Sequence, residues 1–461
     1  MKAYLATFYL TYLRYFAIKT IEKHRPIVIG IGGSVGKSST KSAIYSILRE
    51  YFPTKMIEGN SETGIPLGIL GFDINELNLS LSGDSVWGIL EHIMKAPFRV
   101  NSLVGYKYLI VEMGIDDPDP PKNMEYLLSI IKPDIAISLN IAPPHLGQFE
   151  KLLVGKNVEN KLEYTLDRMA DEDIKIITES GCSTAIYNND DNRIREIIAT
   201  FCKTKPDTRV LSFGVESANM LTHATYEVSL TGTTFTFDFH SDKNVEQLSC
   251  RLDSLLLPLD YRESIAGAIL VAHSLGLPLK SISRSLEKNF TLPKGRSTIL
   301  HGIRNTFIID SSYNSSPKAV ITFVKMLEML KMQTGRPIVF IFGDMRELGS
   351  AEKDEHMKVA RALSPIVDHL YCVGPLTKKY VMGHPNTLTS LCKVKWFESN
   401  TAAGQYAAQH MPSSSIILVK GSQNTIFLEE SIKYIIANPN DSSLLCRQEP
   451  YWMNKKGVIK M

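Results

Sequence analysis

The residue types that could do chemistry are densest between Gly30 and Thr40, where the chain reads GIGGSVGKSST. A turn built from glycines lets backbone N–H groups approach phosphate oxygens, because no side chain blocks the approach. A helix expected to begin near Lys37 adds the positive end of its dipole. We expect Lys37 to reach the β- and γ-phosphates and the Ser38 hydroxyl to bind Mg²⁺. The segment therefore predicts a phosphate-binding loop for a nucleoside triphosphate.

The spacing of this loop is irregular, because Gly30 lies one residue earlier than the first glycine of the usual pattern. The strand before the loop and the helix after it still favour phosphate binding over a glycine turn that merely packs a helix on a strand. The expected nucleotide contacts within it are Gly33, Ser34, Val35, Gly36, Lys37, Ser38 and Ser39.

Three further segments carry polar residues where apolar runs end. Glu112 closes the run YLIVE, Asn140 and His145 lie in NIAPPHL, and Lys161 lies in ENKLEY on the helix expected next. Taken singly, each has an ordinary structural explanation, since a strand-end Glu is often solvated and a lone His is more often structural than a ligand. Kinases, GTPases, transport motors and ligases all use such loops, so the residues alone leave the reaction open.

The elements that must position these residues follow from the alternation of short apolar runs with helical patterns from Pro26 onward. Such strand–helix units predict a parallel sheet covered on both faces, with chemistry at the carboxyl ends of its strands. Residues 222–256 alternate apolar and polar side chains instead, which predicts an antiparallel ribbon. A helix is expected from Tyr261 to about Leu275, and Pro, Lys, Gly and Arg at 293–296 indicate a hinge.

A second strand–helix domain is expected after the hinge. The predicted organisation is a front helix at 1–25, a central nucleotide-binding domain at 26–293, a second α/β domain at 294–440 and a loosely attached tail at 441–461. The predicted fold class is α/β, with a P-loop parallel-sheet domain followed by a Rossmann-like domain.

Composition excludes several classes of protein. The net charge is only +3 over 461 residues, so a nucleic-acid platform is not expected. Six scattered cysteines without a C-x-x-C pair fit reduced thiols in the cytoplasm better than a disulfide framework or a zinc site.

The front segment needs its own interpretation. Residues 3–13 are apolar, but Lys2, Arg14 and Lys19 interrupt the run, which is too short to span a bilayer. No small-residue cleavage site follows it. The prediction is an amphipathic helix with Tyr and Leu on one face, packed on its own domain, with weak membrane-surface contact as the alternative.

Taken together, the segments resemble the Mur ligase family over roughly residues 26–435. The matching segments, in family order, are the loop at 30–41, GNSETGIPLGIL at 59–70, VEMGIDDP at 111–118, NIAPPHL at 140–146, ENKLEY at 159–164, KGR at 294–296, IDSSYNSSPKAV at 309–320, FGDMRELG at 342–349 and LVKGS at 418–422. They are most similar to members that add D-alanyl-D-alanine to UDP-N-acetylmuramoyl-tripeptide. The family's loop also has its first glycine at the position of Gly30.

The resemblance implies that ATP phosphorylates an acceptor carboxylate and that an amine then attacks the acyl phosphate. Lys37 and Mg²⁺ on Ser38 would neutralise the phosphates. Glu112 and His145 resemble metal-holding residues, with His145 at a second ion. Lys161 resembles a lysine that the family carbamylates, which turns a cation into a carboxylate-like metal ligand.

The implied nucleotide contacts extend beyond the loop. Asn140 is expected beside the nucleotide, Arg296 and Asp310 would contact phosphate and ribose from the second domain, and Tyr313 and Asn314 would lie next to them. Closure about the hinge would exclude water from the acyl phosphate. The expected partners are small molecules, namely a nucleotide-sugar peptide and a dipeptide or amino acid, bound by a monomer.

Three departures from the family pattern bear on the substrate, one of which is Gln423 after Lys420-Gly421-Ser422, where the most similar members have arginine. Related ligases hold the UDP-sugar in a separate N-terminal domain, whereas here the loop arrives at residue 30, so the acceptor is expected to be held by the front helix or the central domain. The helix at 261–275 has Tyr261, Glu263 and Ser264 where the family usually shows an asparagine facing adenine. The alternatives are a Mur-like ligase for poly-γ-glutamate or pseudomurein peptide, a P-loop kinase or ATPase without an amine acceptor, and a silent binding scaffold.

Overall fold

The computed structural model describes residues 2–72, 86–143, 146–241, 244–382, 392–422 and 426–457. They form two compact units. The first unit comprises Met1–Ala224, Thr236–Cys250 and Arg262–Thr291, and the second comprises Thr225–Phe235, Arg251–Tyr261 and Leu292–Met461. The predicted α/β class, a P-loop parallel sheet followed by a Rossmann-like domain, is confirmed.

The first sheet has nine strands in the order β2-β3-β1-β4-β5-β6-β7-β8-β9. These are β1 (Ile27–Gly32), β2 (Thr54–Met56), β3 (Tyr108–Glu112), β4 (Ile135–Ser138), β5 (Thr184–Asn188), β6 (Arg209–Gly214), β7 (Leu221–Ser229), β8 (Gly232–His240) and β9 (Val245–Asp253). Neighbours from β2 to β7 pair in parallel. Ile31 stands opposite Glu112, which places this carboxylate at the edge where the phosphate loop leaves β1.

Helices cover this sheet because apolar residues line both of its faces. The helices are α1 (Lys2–His24), α2 (Lys37–Leu48), α3 (Gly64–Ile69), α4 (Val86–Lys95), α5 (Met124–Leu128), α6 (Leu146–Phe149), α7 (Lys161–Asp173), α8 (Lys175–Thr178), α9 (Asn192–Thr204), α10 (Tyr261–Ser274) and α11 (Leu279–Asn289). Short 3₁₀ turns follow at Ala96–Arg99 and Glu150–Leu153. Strand β1 lies in the middle of the core, with Ile29 and Ile31 fully buried.

The predicted ribbon corresponds to β7, β8 and β9, which are consecutive neighbours in the sheet. Only residues 230–231 join β7 to β8, and a connection that short requires antiparallel strands. Buried and half-buried side chains alternate along β8, as a strand with one face on a core requires.

The second unit contains a six-stranded sheet in the order β10-β11-β15-β12-β13-β14, parallel except for the β10–β11 pair. The strands are β10 (Thr298–Gly302), β11 (Thr306–Asp310), β12 (Ile338–Gly343), β13 (His369–Val373), β14 (Lys393–Phe397) and β15 (Ile416–Lys420). The helices are α12 (Pro317–Thr334), α13 (Glu352–Leu363), α14 (Pro375–Thr377), α15 (Asn400–His410), α16 (Glu429–Ile432) and α17 (Pro450–Lys455). Turns of 3₁₀ or π type lie at Ile303–Asn305, Gly349–Ala351, Lys378–Met382 and Pro439–Leu444.

The front segment is a helix as predicted, but it is not amphipathic. Tyr9, Leu13 and Ala17 are buried in the first unit, while Tyr4 and Phe8 are exposed. Apolar residues therefore occupy both the inner and the outer face. None of the helices in the described ranges has the length and apolar character needed to cross a bilayer.

The expected loose attachment of the tail is wrong for the part the structure describes, which ends at residue 457. Arg447 is buried and donates from Nε and Nη2 to the two carboxylate oxygens of Glu429, at 2.8 and 2.7 Å. It also donates to the carbonyl oxygens of Ser312 and Tyr313. The hydrogen bonds of Arg447 are therefore satisfied inside the second unit.

Candidate functional site

The phosphate loop connects β1 to α2 at the carboxyl edge of the first sheet. Gly33 has a φ of 122° and Gly36 a φ of 93°, both in the left-handed region that side chains disfavour. A Cβ on Gly33 would lie 2.9 Å from the Cβ of Leu139, so only glycine fits there. The conformation explains why the sequence places glycines at these two positions.

A buried carboxylate holds the start of the loop. The Gly33 N–H donates to Oδ1 of Asp173, at 2.9 Å, and the Ser138 hydroxyl lies 3.4 Å from Oδ2. Burial raises the pKa of Asp173 to about 6, while the nearby Lys37 ammonium opposes the shift. Asp173 thus fixes the loop from beneath.

Asn140 holds the middle of the loop. Its Oδ1 accepts from the Val35 N–H and its Nδ2 donates to the Val35 carbonyl, both at 3.0 Å, while its own carbonyl accepts from the Ser34 N–H. Nδ2 also donates to Oε2 of Glu263, at 2.7 Å, so a carboxylate from α10 orients the amide. Asn140, predicted beside the nucleotide, is placed by the structure as a clamp on the loop backbone.

The start of α2 carries the two residues central to the prediction. The Lys37 ammonium donates to the Gly33 carbonyl at 2.5 Å, across the turn of the loop. The Ser38 hydroxyl donates to Glu112, 2.9 Å from Oε2. Ser39 is buried behind them. The structure therefore brings Lys37, Ser38 and Glu112 to one edge, as the sequence predicts.

A second lysine, not predicted, neutralises the carboxylate from behind. Lys41 is buried, with Nζ 3.4 Å from Oε2 of Glu112 and 2.9 Å from the Ile57 carbonyl. The Asn60 amide lies 3.5 Å from Oε1 of the same carboxylate. Glu112 is thus held in place at the strand end by Lys41, Asn60 and Ser38.

The other two predicted metal ligands are His145 and Lys161. His145 lies outside the described residues. Lys161 opens α7 after the capping Asn160, and its side chain is exposed, with no hydrogen bond or ion pair to the described chain. In the described ranges no three His, Cys, Asp or Glu side chains form a cluster that could hold a metal ion.

The second unit gathers the four predicted C-terminal residues around the start of β10 and the end of β11. The Arg296 guanidinium lies over the Tyr313 ring, 4.7 Å from its centroid. Asp310 is fully buried, which raises its pKa to about 6, and its Oδ2 has no hydrogen-bond partner among the residues that the structure describes. The Asn314 side chain accepts from the Ser315 N–H.

Lys420, which was not predicted as a site residue, lies in the middle of this second cluster. Its ammonium donates to the Asn314 carbonyl at 2.9 Å and to the Ser311 hydroxyl at 3.2 Å. Burial, together with the charge of Arg296, lowers its pKa to about 7. The KGS segment was visible in the sequence, but nothing in its pattern shows that the lysine side chain turns inward.

The family profile described as Mur ligase middle domain matches residues 31–253, and that described as Mur ligase, glutamate ligase domain, matches residues 295–423.

Curated relatives include UDP-N-acetylmuramoyl-tripeptide–D-alanyl-D-alanine ligases. That of Rickettsia prowazekii is 26% identical over 92% of this chain and 81% of its own length. That of Buchnera aphidicola from Baizongia pistaciae is 25% identical, over 76% of this chain and 64% of its own length.

Solved structures share the fold. The MurF ligase of Thermotoga maritima, solved in complex with ADP, has a TM-score of 0.70 at 20% identity and covers 92% of this chain and 83% of its own. FolC from E. coli, solved with DHPP and ADP, has a TM-score of 0.58 at 17% identity, covering 89% of each chain.

Proposed function

The chain belongs to the Mur ligase family of ATP-dependent amide ligases, and from this premise we propose that it adds D-alanyl-D-alanine to UDP-N-acetylmuramoyl-tripeptide. The observation that carries the proposal is the arrangement of Lys37, Ser38 and Glu112 on a loop fixed by Asp173 and Asn140. The relatives with that activity support the choice of substrates.

The residues present fit a Mg²⁺ ion with its nucleotide. The Ser38 hydroxyl and the Glu112 carboxylate offer two hard oxygen donors at the carboxyl edge of the sheet, the ligand type that Mg²⁺ prefers. When bound, the ion would neutralise phosphate charge. Ser38 and Glu112 would hold it.

The chain's own residues supply the remaining requirements. Lys37 would place a cation on the phosphates, since it lies on the loop whose amides and helix end face that ligand. The acceptor carboxylate attacks the γ-phosphorus and ADP leaves; the donor amine then attacks the acyl carbon and phosphate leaves. Asp173 and Asn140 act by keeping the loop in place for the first step.

The second unit would contribute the Arg296 and Asp310 contacts to phosphate and ribose, with Tyr313 and Asn314 beside them. Arg296 is stacked on Tyr313, which limits the rotation of its guanidinium. Lys420 would support these contacts from within, because it holds the Asn314 carbonyl.

We also propose roles for Lys161, His145 and α1. Lys161 would be carbamylated and would bind a metal ion together with His145, because its exposed ammonium has no partner in the described chain. We place the domain boundaries after residues 25, 293 and 440. A single chain would act in the cytoplasm on small-molecule substrates, with α1 in contact with a membrane surface.

The test is phosphate release from ATP by the purified chain with Mg²⁺, with acceptors and donors supplied in all combinations. We expect release that requires both UDP-N-acetylmuramoyl-tripeptide and D-alanyl-D-alanine. Release with glutamate oligomers and an amino acid would keep the ligase chemistry and replace the substrates. Release that needs no amine would overturn the proposal in favour of a kinase or ATPase.

A further inference from the structure

The outer surface of α1 and of the segment 86–99 concentrates apolar side chains. Seventeen large hydrophobic side chains are exposed in the described chain, and seven of them lie on these two segments. The seven, which we call the front surface, are Tyr4, Leu5, Phe8, Tyr15, Leu90, Met94 and Phe98. Two segments that together make up a small part of the chain thus hold a disproportionate share of its exposed apolar side chains, a distribution that marks an interaction site.

These side chains lie on two helices that pack side by side. The Tyr9 hydroxyl bonds Nδ1 of His92 at 2.6 Å, and the Tyr12 hydroxyl donates to the Ile93 carbonyl at 2.9 Å. The buried faces of both helices join one cluster with Leu67.

Their exposed rows follow helical spacing. Leu90, Met94 and Phe98 recur every four residues, and Tyr4 and Phe8 do the same on α1. Because the two helices turn their buried faces to the same cluster, both rows face solvent, away from that cluster.

The two segments that carry the front surface are also net positive. Segments 2–24 and 86–99 contain six Lys and Arg residues against two Glu, a net charge of +4, whereas the whole chain carries +3. The rest of the chain is therefore slightly acidic. Lys19 lies over the Tyr15 ring, 4.5 Å from its centroid, so a cation borders the aromatic row directly.

We propose that the front surface binds the surface of a bilayer that contains anionic lipids. Tyr, Phe and aliphatic side chains flanked by Lys and Arg match the boundary between acyl chains and anionic headgroups. A second copy of this chain is a poorer occupant, because a symmetric dimer would place two net positive surfaces against each other. The helices lie on the membrane and do not cross it.

The experiment measures co-sedimentation of the full chain with vesicles of equal parts phosphatidylglycerol and phosphatidylcholine, and with vesicles of phosphatidylcholine alone. Binding is expected to the anionic vesicles and to fall steeply at about 1 M salt, where charges are screened within about 3 Å. Equal binding to both vesicle types, or binding to neither, would overturn the proposal.

A pair of variants locates the surface. Phe98 is 86% exposed and Met332, on α12, is 82% exposed, so neither substitution disturbs a core. Phe98→Glu combined with Phe8→Glu is expected to weaken vesicle binding by about tenfold or more. Two side chains that insert between the lipids are lost, and two negative charges are added that the anionic headgroups repel. Met332→Glu is expected to bind as the unchanged chain does.

Two controls keep the result interpretable. The thermal midpoint and the far-UV circular dichroism of the double variant are measured in solution, and both should match the unchanged chain. Loss of a dimer in sedimentation, with vesicle binding unchanged, would assign the surface to a second copy and refute the membrane proposal.

Discussion

Asp173 and Asn140 show that the phosphate loop is shaped by side chains far from it in sequence. Both bond the amide groups of residues 33–35, so the backbone is fixed through acceptors that come from α7 and the end of β4. On the loop itself, Lys37 and Ser38 are the side chains that we propose to meet a phosphate and a metal ion. At this scale, charge and burial decide what each residue does.

Lys37→Ala is expected to lower ATP-dependent phosphate release by about a hundredfold or more, because an electrostatic contact to the reacting phosphates is lost. The measurement is the steady-state rate with saturating substrates. Lys203→Ala, on the exposed side of α9, is the matched control and should leave the rate unchanged. A Lys37 variant that keeps its rate would remove this lysine from the site.

Lys161→Ala is expected to lose activity and to regain part of it when short carboxylates such as acetate are added. The reason is that a free carboxylate can replace a carbamate as a metal ligand. The rate is measured over a series of acetate concentrations. Lys37→Ala serves as the comparison, since a carboxylate cannot replace an ammonium. Indifference of the Lys161 variant to acetate would contradict carbamylation.

Asp173→Asn is expected to change how stability depends on pH. Burial raises the pKa of Asp173 to about 6, above the ordinary aspartate value of 3.8, so the folded protein binds the proton more tightly. The free energy of unfolding of the unchanged chain therefore falls as pH rises from 4 to 6, a term that the variant lacks. The stability of the variant relative to the unchanged chain should rise over this window by up to about 3 kcal/mol.

Urea unfolding followed by circular dichroism at several pH values measures this difference. Asp310 titrates in the same range in both proteins, so its contribution cancels. If the difference in the free energy of unfolding between the two proteins stays constant from pH 4 to 7, the raised pKa of Asp173 is contradicted.

Among the elements, the C-terminal segment shows how a polar stretch can belong to a core. Arg447 bonds Glu429 and the backbone after β11, and Lys456 lies 2.8 Å from the same Glu429. The segment thus ties α16 to the loop that carries Tyr313. Its placement depends on these buried charge pairs together with the buried side chain of Leu445.

Arg447→Ala is expected to destabilise the chain by about 3 kcal/mol or more, because the fully buried Glu429 loses one of its two cations. Arg251→Ala is the control, since its pair with Asp253 is exposed and screened by solvent, so its loss should change stability little. Thermal and urea unfolding measure both. Equal effects in the two variants would contradict the buried role of Arg447.

Over the whole molecule, two α/β units each enclose their own core, and burial sets the chemistry of the thiols. All six cysteines are free, and five of them are buried. Burial raises the pKa of Cys250 and of Cys446 to about 12 and that of Cys392 to about 11. Thiolates are therefore scarce in the folded chain.

A thiol reagent such as Ellman's reagent is expected to modify one cysteine rapidly in the native chain, the half-exposed Cys202, and all six after denaturation. The measurement is absorbance against time at pH 8. Cys202→Ser should abolish the rapid phase. Several rapid thiols in the native chain would contradict the buried cores.

Residue types and their spacing are enough to predict the phosphate-binding loop, the succession of strands and helices along the chain, and the family. Glycines at positions 33 and 36 are required by local backbone geometry, and apolar runs that end in Glu112 or Asn140 place polar groups at the edge of any parallel sheet. Such signals are local, so a single chain reveals them without knowledge of long-range contacts.

Three features depend on long-range contacts and are visible only in the folded chain. They are the groups that hold the loop, the packing of residues 441–457 and the side chains that α1 exposes. Asp173 lies 140 residues from Gly33, and Arg447 lies 135 residues from Ser312, so no periodicity links the partners. The front helix carries apolar residues on both its inner and its outer face, and composition cannot say which of them the first unit covers. These outcomes depend on packing between distant segments, a property that residue spacing along the chain does not encode.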